Sequence, residues 1–372
     1  MAYTNIDDPS AYFQAMQYTG NTTAPRNITN DGNSDLKPDF IWAKANQNGT
    51  NHILTDSTKG FDAPTGLGYT PPGTLAGGHL STSSDGAVSQ PAATYGYISA
   101  HLTDGFTTAA GGTNDDTCNT NGTVHNAWQW KANGGTTSNN TDGNLASTVQ
   151  ANQTSGFSIV LFEGSGSDNT TVGHGLGGVP DFVMFKNAEV ANTDWRVYHK
   201  GMAPGNAMSV NSNGAQYDST AIFTSTFTST VLKLENDAGG VNRSGSVMMA
   251  YCWRSIQGFS KFGTYQGNSN DNGPFVYTGF KPRWIMFKSR EAGSTWDIMD
   301  TRNSPTNPMD DYFTANTTDP RGTSSTKNID FLSNGFKLRD DNNLNFSSHN
   351  FTYMAFAESP FVTSTGTPTT AR

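Results

Sequence analysis

Three stretches of the chain carry the same order of apolar and polar positions: Pro38-Asp39-Phe40-Ile41-Trp42-Ala43-Lys44, Pro180-Asp181-Phe182-Val183-Met184-Phe185-Lys186 and Pro282-Arg283-Trp284-Ile285-Met286-Phe287-Lys288. Proline cannot donate to a sheet ladder, so each stretch reads as a strand that opens at Pro. A continuous apolar run that ends at Lys has no polar face, which predicts burial on both sides.

The pattern continues on either side, as an internal repeat requires. A second strand follows each run: His52-Ile53-Leu54-Thr55-Asp56, Trp195-Arg196-Val197-Tyr198-His199 and Trp296-Asp297-Ile298-Met299-Asp300. A strand precedes each run and ends in a turn at Gly20-Asn21, Gly164-Ser165 and Gly267-Asn268, where glycine is expected to supply the positive φ a tight turn needs. Each unit closes on a short alternating strand, Asn126–Trp130, Met249–Trp253 and Met354–Glu358, whose period of two predicts a half-buried strand. A further strand follows Asp104-Gly105 and Asn334-Gly335; in the middle unit Phe227 to Leu234 takes that place without the glycine.

These matches divide the chain into unit one (1–131), unit two (155–256) and unit three (257–361), with a tail at 362–372. Unit one carries an insertion at about 61–95, rich in Gly, Pro and Ser. Residues 132–154 are Gly, Asn, Thr and Ser with few apolar positions and read as a linker or long loop. Only Arg254-Ser255-Ile256-Gln257 separates units two and three, which predicts that they pack together or form a stiff pair.

No stretch holds apolar residues at helical spacing for three turns, and 40 Gly and 16 Pro fill the chain with turns, so little helix is expected. Aromatics make up 11% and concentrate in the expected strands, enough for each unit to bury a core although only 34% of residues are hydrophobic. The expected fold is all-β: tandem antiparallel β-sandwich units.

A net charge of −9 with 14% charged residues leaves no basic stripe for phosphates, which argues against nucleic acid as a partner. Cys118, in a polar loop, and Cys252, in a strand, fall in different units without metal or disulfide spacing; two free thiols are expected. The opening residues lack a basic region followed by an apolar one, and no segment reaches membrane-spanning length. Synthesis in a cytoplasm without membrane insertion is the expectation.

The seven histidines are dispersed, and His174, within Gly173-His174-Gly175, reads as a turn residue bonded to backbone. Acidic turns containing Asp168, Asp271 and Asp340 offer oxygen ligands that suit calcium, against the plainer reading of Asx-turns. Calcium is the one cofactor this allows. A glycosidase needs two carboxyl groups facing one cleft; Asp297 and Asp300 point to opposite strand faces, and nothing brings Glu163 to Glu235, so no catalytic residue is assigned. Trp42, Trp195, Trp284 and Trp296 occupy repeated strand positions and read as core. Tyr69, Tyr95, Tyr97 and Tyr312, in or near loops, are the aromatics left for recognition of a sugar.

Tyr12-Phe13, Tyr18-Thr19-Gly20-Asn21, the Pro38 run and Ala127-Trp128-Gln129-Trp130-Lys131 resemble the start of a family of virion proteins from tailed phages of marine bacteria and cyanobacteria. Gly173-His174-Gly175-Leu176-Gly177, leading into the Pro180 run, is similar to the repeat in their tail-fibre-like proteins, and Tyr353 to Phe361 is similar to their carboxy-terminal signature. The resemblance implies a lectin-like or jelly-roll sandwich on a phage particle and carries no catalytic residues; the insertion at 61–95 departs from it. The functional expectation is a non-enzymatic virion structural protein on the outer surface of tail or capsid. It would serve as a tail-fibre or spike component with other virion proteins and a host-surface glycan as partners, and its repeats would gain avidity in a homo-oligomer such as a trimer. The rival expectations are a purely architectural role, as capsid decoration, head fibre, adaptor or baseplate component, and a polysaccharide depolymerase.

Overall fold

The computed structural model describes residues 2–58, 79–87, 95–114, 117–219, 222, 227–236, 240–291 and 293–369. The fold is all-β and of the sandwich class, and among the described residues the strand ladders are antiparallel, with one isolated parallel bridge between Leu145 and Val172. Pro9–Ala11 forms a single 3-10 turn.

Each unit contributes a large inner sheet with the same four strands in the same order: opening strand, closing strand, Pro-led strand, second strand. In unit one these are Phe13–Thr19, Val124–Trp130, Phe40–Ala45 and Ile53–Asp56. Unit two uses Phe157–Glu163, Val247–Trp253, Phe182–Asn187 and Arg196–His199; unit three uses Ser260–Gln266, Asn350–Pro360, Phe280–Ser289 and Asp297–Asp300. Trp42 opposite Trp128, Met184 opposite Tyr251 and Met286 opposite Met354 fix the common register. A small outer sheet covers one side of each: Arg26–Ile28 with Phe106–Ala109 and Tyr97–His101, Thr170–Gly173 with Val231–Leu234, and Phe275–Tyr277 with Gly335–Leu338 and Ile329–Leu332.

The Pro-led strands show why the apolar run has no polar face. Successive side chains point to opposite sides. Ile41 and Ala43 enter unit one's own core, as Val183 and Phe185 do in unit two and Ile285 and Phe287 in unit three. Phe40, Trp42, Phe182, Met184, Trp284 and Met286 all enter a fourth core shared by the three units. All seven tryptophans of the chain are in that shared core, with Trp130 edge-on to both Trp253 of unit two and Trp284 of unit three. The tryptophans are core residues as expected, but the space they fill lies between units.

Polar contacts at repeat-equivalent positions close the three units into a ring. The residue ending the second strand reaches forward: Asp56 Oδ2 accepts from Tyr251 Oη of unit two at 2.8 Å, His199 Nε2 donates to Tyr353 O of unit three at 3.2 Å, and Asp300 Oδ2 accepts from Trp128 Nε1 of unit one at 2.9 Å. Tyr251, Met354 and Trp128 are equivalent, and methionine has no donor to offer, so His199 uses the neighbouring carbonyl. The residue before the same strand reaches backward: His52 Nε2 to Thr314 O, Trp195 Nε1 to Ser81 O and Trp296 Nε1 to Ser209 O, at 3.0, 2.8 and 3.0 Å. Trp42 Nε1 donates to His52 Nδ1, which fixes the tautomer that donates from Nε2.

Residues 132–154 depart from the linker reading. Ser138–Asn140 and Ser147–Asn152 are strands that extend the inner sheet of unit two beyond its opening strand. Val149 joins unit two's core, and buried Gln150 donates to Ser57 and Thr58 of unit one. Polar side chains satisfied by hydrogen bonds took the place of the apolar alternation that composition lacked. Cys118 also departs from its polar-loop reading: it is buried in unit one's core, while Cys252 is buried in unit two's, and neither is in a disulfide. Most of the insertion, residues 61–78 and 88–94, lies outside the described residues; of the rest, Leu80 pairs with Leu54 and enters the shared core.

Candidate functional site

The three units share a frame and differ in what their loops place on it. Register makes Tyr312 of unit three the counterpart of Ala207 in unit two, since Phe313 pairs with Ile298 as Met208 pairs with Val197. Phe346 follows the buried Asn345 as Arg243 follows the buried Asn242. Unit three therefore carries two aromatics at positions where unit two has alanine and arginine. Both line a cleft of about 470 Å3, together with Asp297, Lys327, Asn343 and His349.

Asp297 and Lys327 form the polar wall. Their ion pair is 2.8 Å long, Asp297 is only 4% exposed, and Thr295 Oγ1 donates to the same carboxylate oxygen at 2.8 Å. The Lys327 ammonium sits 3.8 Å from the centre of the Tyr312 ring, a cation-over-ring contact that occupies one face of the tyrosine. Phe346 is 37% exposed and meets His349 edge-on at 5.1 Å, while His349 Nδ1 contacts Ser289 Oγ at 3.2 Å. Burial lowers the Lys288 amine, another lining group, to about 8 against the opposing pull of Asp297 and Glu291. A half-exposed aromatic beside a fixed set of donors and acceptors suits a ring with one apolar face and a rim of hydroxyls.

One family model spans residues 8–360, the three units and the segment between the first two. The chain belongs to the family described as "Domain of unknown function (DUF7483)". No curated protein and no solved structure matches it. The extent of the DUF7483 match agrees with the geometry, because the whole ring rather than one repeat is the structural unit.

The structure places the other described sequence candidates of this DUF7483 chain apart from the cleft. Tyr69 lies outside the described residues. Tyr95 is exposed and Tyr97 half-buried at the start of unit one's outer sheet, and neither lines the cleft. Asp168 accepts from Asn236 N in unit two, whereas Asp271 and Asp340 share unit three. Asp340 is buried, its Oδ1 accepts from Asn342 N, and burial raises its carboxyl to about 7, with Asp341 and Asp271 adding to the shift. Among the described residues no group of three or more His, Cys, Asp or Glu is placed to hold a metal ion. His174 bonds Thr228 O and Leu176 N, the backbone role its turn suggested. Phe346 was missed because its neighbours, Asn345 and Ser347-Ser348-His349, read as a polar loop.

Proposed function

We propose that this chain is a non-enzymatic component of a virus particle's outer surface, a tail-fibre or spike element that holds host-surface glycan in the unit-three cleft. The observation that carries the reading is the pairing of Phe346 with the Asp297–Lys327 wall on a frame otherwise common to the three units. A sugar ring would rest its C–H face on Phe346 and present hydroxyls to Asp297, Lys327 and Asn343. The likeness to tailed-phage virion proteins supplies the setting, with other virion proteins as partners.

Glycan arrays probed with the full chain test this directly. The expected result is saturable binding of a subset of neutral or amino sugars, lost about tenfold or more in F346A. Arrays without signal, or F346A binding as the wild type does, would remove the glycan from the proposal.

A second, architectural reading is favoured by one surface. Phe275 and Tyr277 are 46% and 48% exposed on an edge strand of unit three's outer sheet, where unpaired backbone and apolar side chains invite another chain. Reconstitution of particles with F275S/Y277S chain separates the readings: failure of assembly supports architecture, whereas normal assembly with weakened adsorption of an F346A particle supports recognition.

A further inference from the structure

The seam where unit three meets unit one is built differently from the other two. In units one and two the residue after the strand-opening proline is an aspartate that holds the departing chain: Asp39 Oδ2 accepts from Ala132 N and Gly134 N, and Asp181 Oδ2 accepts from Ser255 N. Unit three carries Arg283 at that position, and its guanidinium turns to the seam, donating to Thr301 Oγ1 at 3.0 Å and to Ala15 O of unit one at 3.2 Å. Arg302 donates through Nε to the same Ala15 O at 3.1 Å. Two guanidinium groups thus converge on one carbonyl.

Their charges are unevenly matched. Arg302 pairs with Asp31, Glu358 pairs with Lys281, and Asp8 is engaged by Ser10 and Ser34. Among the described residues no carboxylate stands within ion-pair distance of Arg283. Arg283 is half-buried, and burial together with Arg302 lowers its pKa against the opposing pull of Glu358, Asp300 and Asp31. Clefts of about 250 Å3 and about 340 Å3 adjoin it, both lined by Arg283 and Glu358. Ser10 and Asn33, with the already engaged carboxylates Asp8 and Asp31, line the cleft on one side of Arg283, and Ser304 and Asn307 line the other.

We infer that this seam binds the oxyanion of an acidic sugar, a carboxylate or sulfate seated on Arg283 and Arg302 with its hydroxyls among the neighbouring serines and asparagines. A guanidinium presents a planar fork matched to an oxyanion, and Arg283 keeps N–H groups beyond the two already engaged. The site goes beyond the unit-three cleft and rests on different residues, so either can fail alone.

Calorimetric titration of the full chain at low ionic strength with glucuronate, glucose and inorganic sulfate tests it. In F346A chain, where the unit-three cleft is disabled, glucuronate is expected to bind saturably and glucose not at all, with sulfate competing for the same site. R283Q should weaken glucuronate about tenfold or more. D31N, which frees Arg302, should tighten it, and this variant carries the test if R283Q fails to fold by circular dichroism. F346A should leave glucuronate binding unchanged. Glucuronate that shows no saturable binding overturns the inference, as does glucose binding equally well, unchanged affinity in R283Q, or, where R283Q does not fold, unchanged affinity in D31N. Binding of sulfate without glucuronate would reduce the site to an inorganic anion site and reject the sugar.

Discussion

Asp300 shows what a single side chain does at a seam. Its two carboxylate oxygens accept from Trp128 Nε1 of unit one, from Arg302 N and Asn303 N of its own turn, and from Asn303 Nδ2. Burial raises its pKa while these bonds pull it down. D300A would leave the indole N–H of Trp128 buried and unpaired, so a loss of roughly 3 kcal/mol is expected in urea denaturation. A loss below about 0.5 kcal/mol would show that the contact holds nothing. Buried histidines give the molecule its acid response. Burial lowers His52 to about 3 and His125 and His199 to about 4, with cationic neighbours Lys44, Arg26, and Lys200 and Arg290 respectively adding to the effect. Each folded pKa lies below the unfolded value of about 6.5, so the stability these groups contribute is full above that pH and is lost as pH falls towards 4. Asp340, raised to about 7, acts in the opposite sense, losing its contribution as pH rises from about 4 to 7. With four lowered imidazoles, His174 included, against the two raised carboxyls of Asp340 and Asp300, the melting temperature is expected to fall between pH 6.5 and 4; a flat profile would contradict neutral burial of the histidines.

At the scale of the element, each unit is held by a buried asparagine that pins the turn after the opening strand. Asn119 Oδ1 accepts from Asn21 N and its Nδ2 donates to Thr23 O; Asn242 treats Ser165 N and Ser167 O the same way, and Asn345 does so with Asn268 N and Asn270 O. The turn fits because its first residue is glycine: a Cβ on Gly20, Gly164 or Gly267 would collide with the carbonyl of Thr120, Arg243 or Phe346. N345A, with its buried partners stranded, is expected to cost about 2 kcal/mol, read from thermal unfolding, and G267A should be worse because backbone must move. Equal stability of wild type and G267A would mean that the close approach is absent. The glycines were legible in the sequence as turn residues, but the positive φ expected of them is absent and it is the close approach of a carbonyl that excludes a side chain; the strands around them were legible as alternating or doubly buried runs. The asparagines were not, although Asn119 and Trp128, Asn242 and Tyr251, and Asn345 and Met354 stand at one spacing. Asparagine in an Asn-rich chain carries no local signature, and its role appears only when the two turns it joins are brought together.

The whole molecule is where sequence reasoning stopped short. The Pro-led runs announced burial on both faces, but nothing local says that the second cover is a neighbouring unit. The ring contacts confirm why: Asp56, His199 and Asp300 do one job with different chemistry, so residue identity hides their equivalence. Segment 132–154 was hidden by composition, since its strands are polar at the sheet edge and bury Ser147 and Gln150 through hydrogen bonds. The candidate cleft was half legible: Tyr312 could be singled out as a loop aromatic, whereas Lys327, Asp297 and Phe346 gather around it only through the fold of unit three. With every tryptophan in a core common to the three units, a unit separated from the others would keep its own smaller core but expose the other face of its inner sheet. Equilibrium urea unfolding of the full chain, followed in parallel by tryptophan fluorescence and far-ultraviolet circular dichroism, tests that claim most directly. The account predicts one transition with coincident midpoints by both probes, and two or more separated transitions would mean that the units are independent sandwiches strung along a chain.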